Sequence, residues 1–288
     1  MGEVAPDTGR PLRVLTANLY GESCRYQDRL PLLRSAIQEL GPDVMSFQEA
    51  GAYSGQGPHQ VAEILDGLGY HVHHQFEGLD SPPRRDGNCI AARWPIQRAE
   101  LLDLRLTERC GGYPYAALAV RVHAPAPVGS VLLVSPKPSW EFWAEREREL
   151  QAAAIADLVE RHAERRGFPP IVAGDFDATP DAASIRFMKG LQSLEGKSTH
   201  FLDCWEIAGD GGPGYTWSCD NTLASDVIDR LIRQPCHRRR IDYIFVGSPL
   251  LYEGYARIVG CRVVLTEPTD GLWPTDHYGV FAEIATAP

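Results

Sequence analysis

The alternation of apolar and polar residues predicts strands and helices in turn over the first quarter of the chain. Leu12 to Leu19 alternates like a strand, and Gln27 to Leu40 has apolar residues at helical spacing. A strand over Val44 to Phe47, a helix over His59 to Leu68 and a strand over Tyr70 to Phe76 follow. This order of elements is typical of an α/β fold.

The middle of the chain is richer in strands. Four predicted strands follow one another with only loops between them, and such an order favours antiparallel pairing. They are Asn88 to Ala92, Ile96 to Leu104, Tyr113 to Val122 and Val131 to Val134.

A long helix over Glu141 to Arg166 opens the second half, with a solvated charged face and an apolar face. A helix over Asp181 to Gly190 and a Gly/Pro/Asp-rich loop region over Gly209 to Asp226 are expected after it. The final strands are predicted over Ile241 to Val246, Ala256 to Leu265 and Tyr278 to Ile284.

Between the two helices, an apolar run stops at two carboxylates in the stretch Ile171 to Pro180. Asp175 and Asp177 are two residues apart, and alternate side chains of a strand point the same way. If the strand runs on to residue 177, both acids project into one space at its carboxyl end, a usual place for ligands in α/β proteins. For an isolated pair of this kind, a solvated acidic turn carries about equal weight.

Length and charge limit the classes of function. The chain has 288 residues, 44% of them hydrophobic, and we expect one domain over residues 1–288 with a flexible tail over residues 1–10. Its formal net charge of −10 disfavours nonspecific DNA binding, so weak or no DNA cleavage is expected. A small substrate fits the charge better.

Cysteine usage and hydropathy bear on location. The seven cysteines are scattered and have no C-x-x-C spacing, which favours free thiols in a reducing compartment over a zinc site or a disulfide framework. The sequence has no signal-like start and no long apolar run. We therefore expect a cytoplasmic protein without a transmembrane segment; the sequence leaves its oligomeric state open.

Polar residues that can bind a cation or a phosphate stand at or near the ends of predicted strands. They are Asn18, Glu49, Asp175, Asp177, Asp242, Asp276 and His277. Oxygen donors with a single imidazole suit a hard cation such as Mg²⁺ or Mn²⁺. Each residue alone is as typical of a turn, a cap or a surface charge, so the information lies in their joint order.

The motifs around these residues resemble the endonuclease/exonuclease/phosphatase superfamily, which includes DNase I-like nucleases, inositol-polyphosphate 5-phosphatases and neutral sphingomyelinases. The matching stretches are T-A-N at Asn18, D-V-M-S-F-Q-E at Glu49, N-C-I-A-A-R-W-P-I from Asn88 to Ile96, G-D-F-D-A-T-P at Asp175, R-R-I-D-Y-I-F at Asp242 and T-D-H at Asp276-His277. The resemblance implies a four-layer α/β/β/α sandwich, with two mixed, mostly antiparallel sheets packed face to face.

The resemblance also implies roles for individual residues. Glu49 would bind the divalent metal, with Asn18 and Asp276 close to it. Asp175 would orient or deprotonate the attacking water, Asp242 would orient a neighbouring side chain, and His277 would contact the phosphate. Further phosphate contacts could come from two arginine clusters, although exposed basic loops are as plausible. They are Arg84 with Arg85, and Arg238 with Arg239 and Arg240.

Two positions depart from the pattern of the superfamily. Asp177 stands where most members have Asn, and an ionised Asp cannot donate a hydrogen bond to phosphate. Pro136 stands in the place of the His of an Asn-His or Thr-His pair, and Lys137 is a candidate to supply the missing positive charge. We expect Asp177 to have a catalytic or ligand role, and the two changes to alter the site together.

Three functions agree with these observations. The first is a Mg²⁺- or Mn²⁺-dependent hydrolase acting on a small-molecule or lipid-like phosphoester. The second keeps the metal site for non-hydrolytic biosynthetic chemistry, such as a lyase, cyclase or transferase step, and the third is a non-catalytic binding protein. The fold alone does not decide among them, because one scaffold hosts many reactions.

Overall fold

The computed structural model describes residues 9–51, 59–77 and 86–288. Twelve of its strands form two six-stranded sheets. The first sheet has the order β13-β14-β1-β2-β4-β3. These strands span Arg257–Val264, Gly279–Ala285, Leu12–Asn18, Val44–Gly51, Asp86–Ala92 and His71–His74.

The second sheet has the order β5-β6-β7-β8-β12-β9. Its strands span Ile96–Asp103, Ala116–His123, Ser130–Lys137, Ile171–Asp175, Asp242–Gly247 and Phe201–Asp203. In each sheet one central pair, β1 with β2 and β7 with β8, is parallel, and the other pairs are antiparallel. A short ribbon pairs β10 (Trp217–Ser218) with β11 (Arg238–Arg239).

In the part of the chain that the structure describes, six helices accompany the sheets. They are α1 (Tyr26–Leu40), α2 (Gln60–Leu65), α3 (Glu145–His162), α4 (Ala183–Met188), α5 (Cys204–Ala208) and α6 (Thr222–Ile232). Among the described residues, none of the helices has the length and apolarity needed to cross a membrane.

Strand alternation explains the layers. In β1, Val14 packs in the core between the sheets while Leu15 packs against the outer helices, and in β8 Ala173 and Val172 divide in the same way. Helices α1 and α2 cover the outer face of the first sheet, and α3 and α4 cover that of the second. The four-layer sandwich expected from the sequence is confirmed.

The expected antiparallel run of four strands is wrong at its first pairing. Strand β4 pairs with β2 and β3 in the first sheet, whereas β5 begins the second sheet. The three residues 93–95 therefore cross from one sheet to the other. A short connection does not require its two strands to pair, because it can equally join two stacked sheets. The pairings of β5 with β6 and of β6 with β7 are antiparallel as expected.

Two further boundaries differ from the sequence expectation. The region 209–226 is not only loop, because it holds β10 and the start of α6, whose first turn is capped by the Asn221 side chain accepting from the Leu223 amide. Helix α3 begins at Glu145 rather than Glu141. The Arg148 guanidinium donates to the carbonyls of Ser139 and Glu141 and holds that segment outside the helix.

The expected tail over residues 1–10 lies, except for its last two residues, outside the described residues, and Arg84 and Arg85 lie outside them as well. All seven cysteines are described, and each is a free thiol.

Gly174 offers a test of how closely β7 and β8 approach each other beside Asp175. A Cβ atom at this position would lie 2.5 Å from the Pro136 carbonyl oxygen and 2.7 Å from its Cδ. We expect Gly174→Ala to lower the free energy of unfolding by about 1–3 kcal/mol, because backbone and proline ring must move apart. Urea denaturation measures the change.

Gly111→Ala is the matched control, since a Cβ there meets no atom within 4 Å. Equal stability of the two variants would show that the contact between the strands is not tight.

Candidate active site

The candidate site lies at one edge of the sandwich, where strands of both sheets end. Asn18 ends β1, and Asp175 ends β8 directly opposite Asp242, the first residue of β12. Glu49 lies in β2 where the register with β4 shifts between Phe47 and Ala50. Its φ of 49° is left-handed, so a β-bulge turns this side chain out of the strand alternation.

The Asn18 side chain joins the two sheets at this edge. Its amide nitrogen donates to Oε1 of Glu49 (2.9 Å) and to Oδ2 of Asp175 (3.0 Å), and its Oδ1 accepts from the Tyr20 amide. Asn18 therefore orients the carboxylates of Glu49 and Asp175 and stands next to the proposed metal ligand Glu49. Its oxygen keeps one lone pair beyond the Tyr20 contact, so a metal contact for Asn18 stays a prediction.

Lys137 enters the cluster from the end of β7. Its side chain is 4% exposed, and Nζ lies 2.5 Å from both Asp175 Oδ2 and Asp177 Oδ2 and 3.3 Å from Glu49 Oε1. Although burial opposes its charge, these carboxylates hold the pKa of Lys137 well above its usual value. The position that reaches the site from β7 is thus Lys137, not Pro136, whose ring lies against Gly174.

Asp175 and Asp177 come together for a different reason than the one expected. Strand β8 ends at Asp175, and Asp177 has a left-handed φ of 50°, so strand alternation does not align the two. A local turn does, in which the Asp177 amide donates to Asp175 Oδ1 (3.0 Å) while both carboxylates accept from Lys137.

The two carboxylates differ in proton affinity. Burial opposes ionisation of Asp175, but Lys137 and His277 outweigh it and lower its pKa to about 2. For Asp177, burial and the charge of Asp175 prevail over Lys137 and raise the pKa to about 6. Of the two neighbouring acids, Asp175 is therefore the stronger and Asp177 the weaker.

His277 and Asp242 form a buried pair across the two sheets. Nδ1 of His277 lies 3.0 Å from Oδ2 of Asp242, and Thr216 Oγ1 accepts from the Asp242 amide. Burial disfavours the charged ring, but Asp242, Asp276 and Asp175 raise the pKa of His277 to about 10. At neutral pH the ring is therefore a cation with a fixed orientation.

Two carboxylates at this edge fit a hard divalent cation. Glu49 is partly open to solvent, with 26% of its side chain exposed. Burial raises the pKa of Asp276 to about 6, and the neighbouring charge of Glu49 adds to the rise. Oxygen donors that repel each other without a cation are the donor set that Mg²⁺ or Mn²⁺ accepts.

Asp175, Asp242 and His277 form a second group, with potential ligand atoms within 4.8 Å of one another. Glu49 is more open to a cation than this group, with 26% of its side chain exposed against 0% for Asp175 and Asp242. The group is also already held by the contacts of His277 with Asp242 and of Lys137 with Asp175. A cation at the second group would compete with both contacts.

Arg240 does not join the site. Its guanidinium is buried against Asp203, at 2.7 Å, and lies over the ring of Tyr243. The expected phosphate contact is therefore wrong for this residue. Arg238 pairs with Asp220, whereas Arg239 reaches the site loop by donating to the Asp177 carbonyl oxygen.

Sequence reasoning missed a polar network beneath the site. Gln48 donates to Ser46 and to Ser135 of the opposite sheet, and Ser46 donates to the Ala173 carbonyl oxygen. All of these side chains are buried. Ser46 and Gln48 are two residues apart in an otherwise apolar strand, and this spacing could have identified them as inward-facing.

Arg29 was also missed. This fully buried side chain of α1 donates to five carbonyl oxygens, four in the loop after Asn18 and one at Pro274, two residues before Asp276. It therefore ties together the two segments that carry Asn18 and Asp276. Arg29 lies four and eight residues before the buried Leu33 and Ile37, and this helical spacing could have identified it as part of the buried face of α1.

The sequence profile of the Endonuclease/Exonuclease/phosphatase family matches residues 15–277. A search of curated proteins finds no match.

Several solved structures share the fold. One is TDP2 of D. rerio complexed with a single-strand DNA product, at 19% identity and a TM-score of 0.71, covering 95% of this chain and 98% of that one. An endonuclease/exonuclease/phosphatase from Beutenbergia cavernae has 22% identity, a TM-score of 0.68 and coverages of 96% and 71%. The human Nocturnin catalytic domain with bound sulfate has 18% identity and a TM-score of 0.67, and the match covers 96% of this chain and 95% of that one.

The buried ammonium of Lys137 gives the sharpest prediction for this site. Lys137→Met leaves Asp175 and Asp177 without their cation, and losing one partner of a buried ion pair costs about 3–5 kcal/mol of unfolding free energy. The loss should be larger at pH 7 than at pH 5, because Asp177, whose pKa is already raised, takes up a proton as the pH falls. Urea denaturation of metal-free protein at both pH values measures it.

Lys197→Met is the control, since Lys197 forms a surface pair with Asp157 that should be worth about 0–1 kcal/mol. Adding Asp177→Asn to Lys137→Met should recover part of the loss. If Lys137→Met costs no more than the control, the ammonium does not balance the carboxylates.

Proposed function

The chain belongs to the endonuclease/exonuclease/phosphatase family, whose members are metal-dependent phosphoester hydrolases, and we propose that it hydrolyses a small phosphoester by attack of water. The observation that carries this proposal is the convergence of Glu49, Asp175 and the pair His277–Asp242, from strands and strand ends of two sheets, at one edge. A water, a metal and a phosphate need side chains of these types in one place.

His277 is the group that would meet the phosphate. Asp242 engages Nδ1, so the second ring nitrogen can donate to a phosphate oxygen. The ring is cationic at neutral pH, and a fixed cation stabilises an oxygen on which charge grows in the transition state. Asp242 acts through His277 by holding its orientation.

Asp175 would position the attacking water. Its lowered pKa keeps it ionised, so it accepts a hydrogen bond from water and directs the lone pair of that water toward phosphorus. Lys137 and Asn18 fix the carboxylate by donating to its Oδ2. Lys137 also lowers the negative charge that an incoming phosphate meets.

Glu49 and Asp276 would hold the metal, for which we propose Mg²⁺ or Mn²⁺. When bound, such an ion supplies positive charge to the phosphate oxygens. Asp177, with its raised pKa, can exchange a proton near neutral pH and lies on the other side of Lys137. We therefore propose that ionised Asp177 takes up the proton that the attacking water releases.

A small substrate is favoured by charge. The net charge of −10 repels a long polyanion at distances that a few arginines do not cover. Two proteins of the same fold are known with a DNA product and with sulfate. Sulfate and the phosphates of DNA are tetrahedral anions, so both ligands agree with a site for such an anion.

Glu49→Gln tests the metal assignment and the reaction together. We expect calorimetry to show Mg²⁺ or Mn²⁺ binding to the wild type and loss of that binding in the variant. Hydrolysis across nucleotides, inositol phosphates, phospholipid headgroup esters and plasmid DNA should fall by about 100-fold or more for whichever substrate turns over.

Glu253→Gln is the control and should change neither quantity, because this exposed acid lies in the loop after β12, at the end of that strand opposite to Asp242. Full metal binding and turnover in Glu49→Gln would remove Glu49 from the site.

A further inference from the structure

Exposed aromatic rings follow the strand that carries Lys137. Trp140, Phe142 and Trp143 are 38%, 41% and 57% exposed, and they come within six residues of Lys137. We call these three residues the aromatic rim. Large rings are usually covered in a folded chain, so a group of them beside a polar site indicates a binding surface.

The aromatic rim is continuous with the candidate active site. The ring of Trp217 lies 6.4 Å from that of His277 and 6.4 Å from that of Phe142, between centroids. Trp217 is buried, so Phe142 is the first exposed ring on the path outward from His277. The two separations place the Phe142 ring within about 13 Å of the His277 ring, and this is the span that a group attached to a phosphoester at His277 would bridge.

Guanidinium groups lie over two of these rings. Cζ of Arg239 is 4.5 Å from the centroid of Phe142, and Cζ of Arg109 is 4.5 Å from that of Trp143. Arg239 also donates to the Asp177 carbonyl oxygen, so it links the rim to the site. Aromatic faces interleaved with cations are typical of surfaces that stack planar bases next to phosphates.

The backbone that carries the rim is anchored by hydrogen bonds. The Ser139 amide donates to the buried Gln151 side chain, and Arg148 donates to the carbonyls of Ser139 and Glu141. Tyr115, the residue before β6, donates to the Glu141 carboxylate. An anchored backbone loses little entropy when a flat ligand stacks on its side chains.

We propose that the aromatic rim is a subsite for a planar aromatic ring carried by the substrate, of the kind found in a nucleobase attached through a sugar to the phosphoester. This inference rests on the proposed function and specifies its substrate. An apolar lipid chain is a poorer match, because two of the three rings are paired with cations that a hydrocarbon tail would desolvate.

The test compares two ligands that differ only in the ring. They are the 5′-methylenephosphonate analogues of adenosine monophosphate and of ribose 5-phosphate, which cannot be hydrolysed at the replaced bond. With Mg²⁺ present, we expect the adenine ligand to bind the wild type about tenfold or more tightly, and to quench tryptophan fluorescence, as base stacking does. Calorimetry gives both dissociation constants.

Phe142→Leu combined with Trp143→Leu should bring the two ligands to within about threefold of each other and leave the ring-free ligand unaffected. Tyr255→Leu, which changes an exposed ring near the opposite ends of the strands, should alter neither constant. Unchanged binding of the ring-free ligand shows that the variant is folded and the phosphate site intact.

The outcomes separate the two proposals. Equal affinity of the two ligands for the wild type would overturn the subsite and leave the phosphoesterase site standing. Failure of both ligands to bind, or binding that Glu49→Gln does not weaken, would overturn the proposed function itself. Rim-dependent binding to phosphatidylcholine vesicles without discrimination between the ligands would also overturn the subsite.

A ten-residue single-stranded oligonucleotide identifies the source of the ring. Binding no tighter than the mononucleotide analogue supports a free nucleotide as substrate. Tighter binding that the double rim variant loses supports a nucleobase within a strand, and in both cases the rim is the subsite.

Discussion

The ammonium group of Lys137 balances the charges on which the site depends. Asp175 and Asp177 are buried side by side, and two such carboxylates without a cation would repel each other in a medium of low dielectric constant. One fixed cation between them keeps Asp175 ionised and leaves the pKa of Asp177 near neutrality. The difference in pKa between the two acids therefore depends on the position of the Lys137 ammonium.

This balance requires that two sheets meet in fixed register. Lys137 and Asp175 come from the second sheet, and Asn18 and Glu49 from the first. Asn18 bridges the sheets at the edge, and the polar contacts of Gln48 bridge them one layer deeper. Buried polar networks of this kind tolerate few alternative registers, because a shift would leave donors unpaired.

Much of this arrangement could be predicted from the sequence, and the failures have physical causes. Strand alternation and motif order predicted the layers and placed Asn18 and Asp175 at strand ends, whereas Glu49 reaches the same edge through a β-bulge. They could not show that Arg240 pairs with Asp203, because the two residues are 37 positions apart in the sequence and their contact depends on tertiary packing. They also misplaced the cause of the contact between Asp175 and Asp177, because a left-handed turn replaces the strand there.

A crystal soaked in Mn²⁺ and measured at a wavelength with an anomalous manganese signal tests this charge balance most directly. We expect one anomalous peak, in contact with Glu49 and Asp276, with Lys137 still between Asp175 and Asp177. A peak between Asp175 and Asp177, with the Lys137 side chain displaced, would contradict it. In that case a metal ion, and not the lysine, would balance the carboxylates.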